Sequence, residues 1–155
     1  LFSATGHILS PGDTLMLSLS LPEGTPPATV IRYTTDGTEP NEHSTIWPVS
    51  EKSGQSQHIT ITHTTVIRAA LFADKYLTPR SVCHSFIFFP ADRPLTLPVI
   101  SILTDSRYLY DPVIGISVSG EYEPGKNNFE FDWRRPVNIE LFEKQIRKYY
   151  AYFKL

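Results

Sequence analysis

Ile31-Arg32-Tyr33-Thr34-Thr35-Asp36-Gly37-Thr38-Glu39-Pro40 decides the fold of this chain of 155 residues. Ile31 and Tyr33 fall on one face of a strand, and Asp36-Gly37 supplies a turn that needs positive φ. Glu39-Pro40 then fixes the exit direction, because proline locks its own φ and restricts the residue before it. Asp36, Gly37, Glu39 and Pro40 are thus structural turn residues. The block is a folding signature and not a catalytic one.

Outward from this turn, period-two patterns recur between turn signals, as expected of a sandwich and not of a helical domain. Residues 28–35 are the strand that feeds the turn. Upstream, Leu15, Leu17, Leu19 and Leu21 alternate with Thr14, Met16, Ser18 and Ser20, and the Pro-rich stretch from Pro22 to Pro27 forces a reversal. Downstream, residues 44–49 form a short edge strand around Trp47 and Pro48. Residues 58–72 are rich in β-branched side chains and hold two strands or one long bent one, and residues 81–89 close the set. Six or seven short strands so punctuated predict an immunoglobulin-like or fibronectin-III-like β-sandwich.

Composition changes near residue 94. Thirteen Thr precede it and only Thr96 and Thr104 follow, while aromatics become denser. Pro90-Ala91-Asp92-Arg93-Pro94 is the natural seam, giving a sandwich over 1–93 and a partial α+β or β-rich unit over 94–155. In the second unit, residues 97–103 are a short apolar run. Thr104 or Asp105 is placed to cap a helical turn over residues 107–110. A brief strand is expected at 115–118, a long polar loop at 120–132, and two strands at 137–142 and 147–155. The aromatic end of the last strand, Tyr149-Tyr150-Ala151-Tyr152-Phe153, is an edge prone to self-association. The unit reads as the opening of a larger domain.

Bulk properties narrow the function classes. With 14 basic and 16 acidic side chains the formal net charge is -2, which gives no electrostatic reason to expect nucleic acid or an anionic membrane as partner. No run approaches the roughly 20 apolar residues of a membrane span. The single Cys83 excludes an internal disulfide and a Cys-based zinc cluster, and its alternating surroundings suit a buried structural thiol with His84 on the opposite face. The chain begins Leu1-Phe2-Ser3 without Met and reads as mature or trimmed, so a missing signal peptide does not argue for the cytoplasm.

Candidate chemistry is sparse. The eight glycines make no phosphate-cradling loop. Asp105 and Asp111 fit turn and cap roles better than a shared cation. Glu121 with Glu123, and Glu130 with Asp132, have same-face strand spacing but lie in a polar loop that suits solvated charges better than a glycosidase pair. The five histidines are scattered without metal-ligand spacing. No catalytic residue, metal ligand or cofactor is expected. Trp47, Tyr33 and Tyr76 are the carbohydrate-binding candidates, since aromatic faces stack on apolar sugar patches. Core packing is the competing use of Trp47 and Tyr33. Trp133, flanked by Asp132, Arg134 and Arg135, is read as seating its loop on the second unit.

The Ile31 to Pro40 block, followed by Ser44, Val66-Ile67-Arg68-Ala69-Ala70-Leu71 and Ser81, resembles the chitobiase/β-hexosaminidase C-terminal-type domain and related fibronectin-III-associated modules of bacterial surface and carbohydrate-active proteins. The resemblance covers roughly residues 5–89 and implies an accessory domain without hydrolase activity. Leu97-Pro98-Val99-Ile100-Ser101-Ile102, Thr104-Asp105, Tyr108-Leu109-Tyr110-Asp111, Gly115-Ile116 and the stretch from Asp132 to Phe142 resemble the start of the spore-coat protein H-like (CotH) kinase family. After Glu143 the sequence departs from that pattern, and the family's nucleotide and metal residues have no counterpart in these 155 positions. Together the resemblances imply a noncatalytic spacer, docking or display module of a secreted or surface bacterial protein, extracellular or periplasmic, whose parent is similar to an atypical protein kinase. The alternative is a carbohydrate-binding module. The expected partner is an unidentified protein or glycan, and the expected state a monomer or weak oligomer.

Overall fold

The computed structural model describes residues 1–48, 57–74, 80–93, 95–143 and 146–154. These residues are mainly β, and ten strands are described among them: β1 His7–Leu9, β2 Leu15–Leu17, β3 Val30–Thr34, β4 Thr45–Trp47, β5 Ile59–Ile61, β6 Thr65–Phe72, β7 Val82–Phe88, β8 Val99–Leu103, β9 Pro136–Glu143 and β10 Ile146–Lys154. One short helix, α1, spans Arg107–Tyr110, and a 3-10 turn spans Asn128–Glu130. The sandwich expected from the punctuation is present, and residues 58–72 divide into two strands.

Eight strands form one sheet in the order β4-β3-β6-β7-β1-β10-β9-β8, and β2 pairs with β5 in a second. Residues on both sides of Pro94 therefore share a sheet. They are joined where β1, parallel to β7, meets β10 at His7 and Ile146. β8, β9 and β10 form an antiparallel meander with β8 at the sheet's edge. β10 pairs with β9 along its length, so its aromatic run is edge-like on one side only.

The core lies on both faces of β6 and β7. On one face β2 and β5 bring Leu17 and Ile61 onto Ile67 and Phe86, and beside them Leu19 and Trp47 pack with Ile31 and Ala69. Alternation turns Val66, Arg68, Cys83 and Ser85 to the opposite face. There β8 covers them: the hydroxyls of Ser85 and Ser101 lie 2.7 Å apart, and Leu103 reaches Val66 through the gap left by Gly37. Residues 67–70 and 83–86 are in consequence buried without interruption, the pattern of strands covered on both faces. Burial pushes the Cys83 thiol up to about 11, as suits an inert structural cysteine. His84 lies on the other face, as alternation requires, yet is equally buried.

Differences from expectation are local. No strand forms at 115–118, although Ile116 and Ser117 donate to the Tyr108 and Leu109 carbonyls. Asn128 organises this region: fully buried, it donates to the Pro112 and Gly115 carbonyls at 3.0 Å each. Trp133 stacks on Phe131 with ring centroids 5.1 Å apart, Tyr122 meets both edge-on, and the Arg135 guanidinium covers Trp133 at 4.8 Å. Arg135 also donates two hydrogen bonds to the Ile114 carbonyl. The aromatic column thus ties down a loop that lacks regular structure, the seating role expected of Trp133.

Phe86 is completely buried at the centre of the first cluster. Phe86→Ala should lower unfolding free energy by about 3–5 kcal/mol in urea titration. A loss below 1 kcal/mol would contradict this placement of the core.

Candidate functional site

The Asp36-Gly37 turn is built as the sequence demands. The Asp36 carboxylate accepts hydrogen bonds from the Thr38 N–H at 3.0 Å and the Thr38 hydroxyl at 2.6 Å, and these hold its pKa below the usual carboxylate range. Gly37 has φ +79°, and a Cβ there would stand 2.9 Å from Leu103 Cδ1. The glycine satisfies both the turn and the close approach of β8. Pro40 is buried behind it. Glu39 turns back onto the sheet, pairing with the buried Arg68 guanidinium and accepting from the Ser81 hydroxyl at 2.5 Å.

A second polar cluster joins β7 to β9 and β10. β1 is short, so the Ser85 N–H lies where β7 runs past its parallel partner. The Glu140 carboxylate fills that position, accepting from Ser85 N at 2.6 Å. Its other oxygen lies 3.1 Å from Arg147 Nη1 and 3.3 Å from His84 Nδ1. Arg147 Nη1 also meets His84 Nδ1 at 2.9 Å, and guanidinium nitrogens only donate. That imidazole nitrogen therefore either accepts from Arg147 or donates to Glu140. In both arrangements each Glu140 oxygen has a donor. Burial pushes the Glu140 carboxyl up, but the hydrogen bonds from His84 and Ser85 outweigh it and hold the pKa low. Gly6 makes room for the carboxylate, since a Cβ there would come within 2.6 Å of Glu140 Oε1.

Between these clusters the layers diverge and leave a cleft of about 780 Å³. The Asp36–Glu39 turn forms one wall. The end of β8 with α1 forms another, carrying Asp105, Arg107 and Tyr108. Arg68, Arg80, Asn138 and Tyr152 close the floor and the remaining side. Asp105 is spent locally: it accepts from the Arg107 N–H at 2.9 Å and pairs with the Arg107 guanidinium at 2.7 Å, which lowers its pKa. Asp111 likewise accepts from Val113 and Ile114 N–H groups and holds a turn. Both therefore take the turn roles expected of them, although the helix cap position itself is Ser106, whose side chain makes no capping bond.

Of the aromatic candidates, Trp47 and Tyr33 pack on each other and not as an exposed face. Trp47 is 4% exposed and packs edge-on against Tyr33 at 5.9 Å, so its ring serves the core, and Tyr33 is half-buried beside it. Tyr76 lies outside the described residues. His7, His43, His58 and His63 are exposed. Among the described residues no group of three or more His, Cys, Asp or Glu side chains is placed to hold a metal, and no helix is long and apolar enough to cross a membrane. In the polar loop Glu123 pairs with Lys126 at 2.7 Å and Glu130 accepts from Asn127 at 2.6 Å. The cleft itself carried no signal in the linear sequence, because its walls come from positions up to 116 residues apart, Asp36 and Tyr152 being the extremes.

Glu140 has a folded pKa below its unfolded value. Its stabilisation is therefore present above the unfolded pKa of about 4.5 and is lost as pH falls through the folded value. Glu140→Gln should cost about 3 kcal/mol at pH 7 by denaturant unfolding. The gap between the two proteins should close on acidification below about pH 4. A gap independent of pH would refute the assignment of charge to this carboxylate.

Neither a curated protein nor a solved structure matches the chain. Residues 10–82 match the family model of the Chitobiase/beta-hexosaminidase C-terminal domain. The match takes in the Asp36-Gly37 turn and strands β2 to β6, and ends at the first residue of β7. In this portion the chain is similar to that domain.

Proposed function

We propose that the chain is a noncatalytic accessory module, a spacer or docking element, of an exported or surface-displayed protein. The domain family matched by residues 10–82 is a noncatalytic accessory domain of glycosidases. The observation that carries the reading is the use made of the turn: Asp36 holds Thr38, Glu39 holds Arg68 and Ser81, and Gly37 admits Leu103. Each signature residue is committed to the fold or to seating the segment that follows. Such a block positions what comes after it and has no group left for bond-making.

The finer reading gives this module a parent similar to a CotH-like kinase, acting outside the cytoplasm. It rests on the resemblance carried by Leu97-Pro98-Val99-Ile100-Ser101-Ile102 and Trp133-Arg134-Arg135-Pro136-Val137. Those residues form β8 and the aromatic column with the start of β9.

The purified chain should unfold in one cooperative transition, release no nitrophenol from aryl N-acetylglucosaminides, and show no thermal shift with millimolar Mg-ATP. Saturable hydrolysis abolished by a single carboxylate substitution would overturn the accessory reading. A nucleotide-dependent rise in Tm would overturn it in favour of a phosphotransferase fragment.

A further inference from the structure

We propose that the cleft between the Asp36 turn and α1 is a binding site for a neutral oligosaccharide. At about 780 Å³ it lies in the range of small-molecule sites, roughly 300–1,000 Å³. Its charges balance, with Asp36, Glu39 and Asp105 against Arg68, Arg80 and Arg107. A strongly anionic ligand would meet three carboxylates and a cationic one three guanidinium groups. A sugar hydroxyl both donates and accepts, and so suits a wall on which carboxylates alternate with guanidinium and amide donors.

The groups left without partners point the same way. Asn138 is 5% exposed and lines the cleft; its oxygen accepts from the Tyr150 hydroxyl, while its amide nitrogen donates to no described residue. Arg68, 7% exposed, has a buried Nε that donates to nothing among the described residues. Arg80 stacks over the Tyr152 ring at 4.2 Å and likewise donates no hydrogen bond among them. Tyr152 and Tyr108 supply the apolar surface that a pyranose ring needs beside its hydroxyl contacts. The site is distinct from Trp47 and Tyr33, which serve the core, and does not depend on the accessory reading.

The test is calorimetric and NMR titration of the purified chain with cellohexaose, N-acetylchitohexaose, xylohexaose and mannohexaose, with hexagalacturonate as the acidic comparison. At least one neutral hexasaccharide should bind with a Kd of about 10 μM to 1 mM. Arg80→Ala and Tyr152→Ala should each weaken it about tenfold or more. Met16→Gln, on an exposed position of β2 remote from the cleft, should bind as the parent chain does. Chemical-shift changes should centre on Asn138 and Tyr108. The proposal is overturned if the folded chain binds none of the neutral probes, if only hexagalacturonate binds, or if binding survives both cleft substitutions.

Discussion

Glu140 carries a charge into a place where water scarcely reaches, and the rest of the molecule is arranged to make that tolerable. An ionised carboxylate removed from water is unfavourable by several kcal/mol unless each oxygen finds a donor. Here the donors come from two elements, the Ser85 N–H on β7 and Arg147 on β10, with the His84 imidazole of β7 beside the same carboxylate. The Ser85 N–H is not taken up by β1, which begins only at His7, opposite Phe86. Carboxylate and amide thus solve one another's problem. Gly6 belongs to the same solution, since any side chain there would occupy the carboxylate's position.

The Glu140 contact also fixes which side of β6 and β7 is covered by the second half of the chain. Once β9 is held against β7, β8 lies over Val66 and Ser85, and Leu103 settles beside Gly37. The outer face of β6 then contains Arg68, a residue that a solvent-exposed sheet would leave hydrated. Burial makes its pairing with Glu39 obligatory, and Ser81 completes that carboxylate's shell. The signature turn is therefore more than a hairpin connection. Its Gly37 is one of the contact points between the two halves, and its Glu39 pairs with the Arg68 guanidinium that their contact buries.

Most of the strand framework was legible because its causes are local. Asp36-Gly37 and the Pro-rich reversal after Leu21 mark turns through backbone conformations that few other residues adopt, and alternation then marks strands between them. What escaped is what depends on distant partners. β1 has three residues and exists only because β7 offers it a parallel edge. In Val137-Asn138-Ile139-Glu140-Leu141-Phe142 the period of two announces a strand but not its orientation. The polar members Asn138 and Glu140 face inward, whereas Ile139 and Leu141 share a side with the exposed Ile100 and Ile102 of β8. Hydrophobicity assigns the inner face wrongly there, because the layer beneath is itself polar. The pairing of His84 with Glu140 spans 56 positions and leaves no trace in spacing.

The cleft follows from the same geometry. The space between the Asp36 turn and α1 is lined by the side chains that β6, β9 and β10 turn towards it. Because the inward positions of β9 beside the space are polar, it acquires Asn138, together with Tyr152 of β10, in place of aliphatic side chains. A hydrophobic inner face would have closed the gap by packing, as it does between β2–β5 and β6–β7. Polarity at Asn138 and Glu140 thus has two consequences: it demands the buried ion network, and it gives the cavity a polar lining at Asn138.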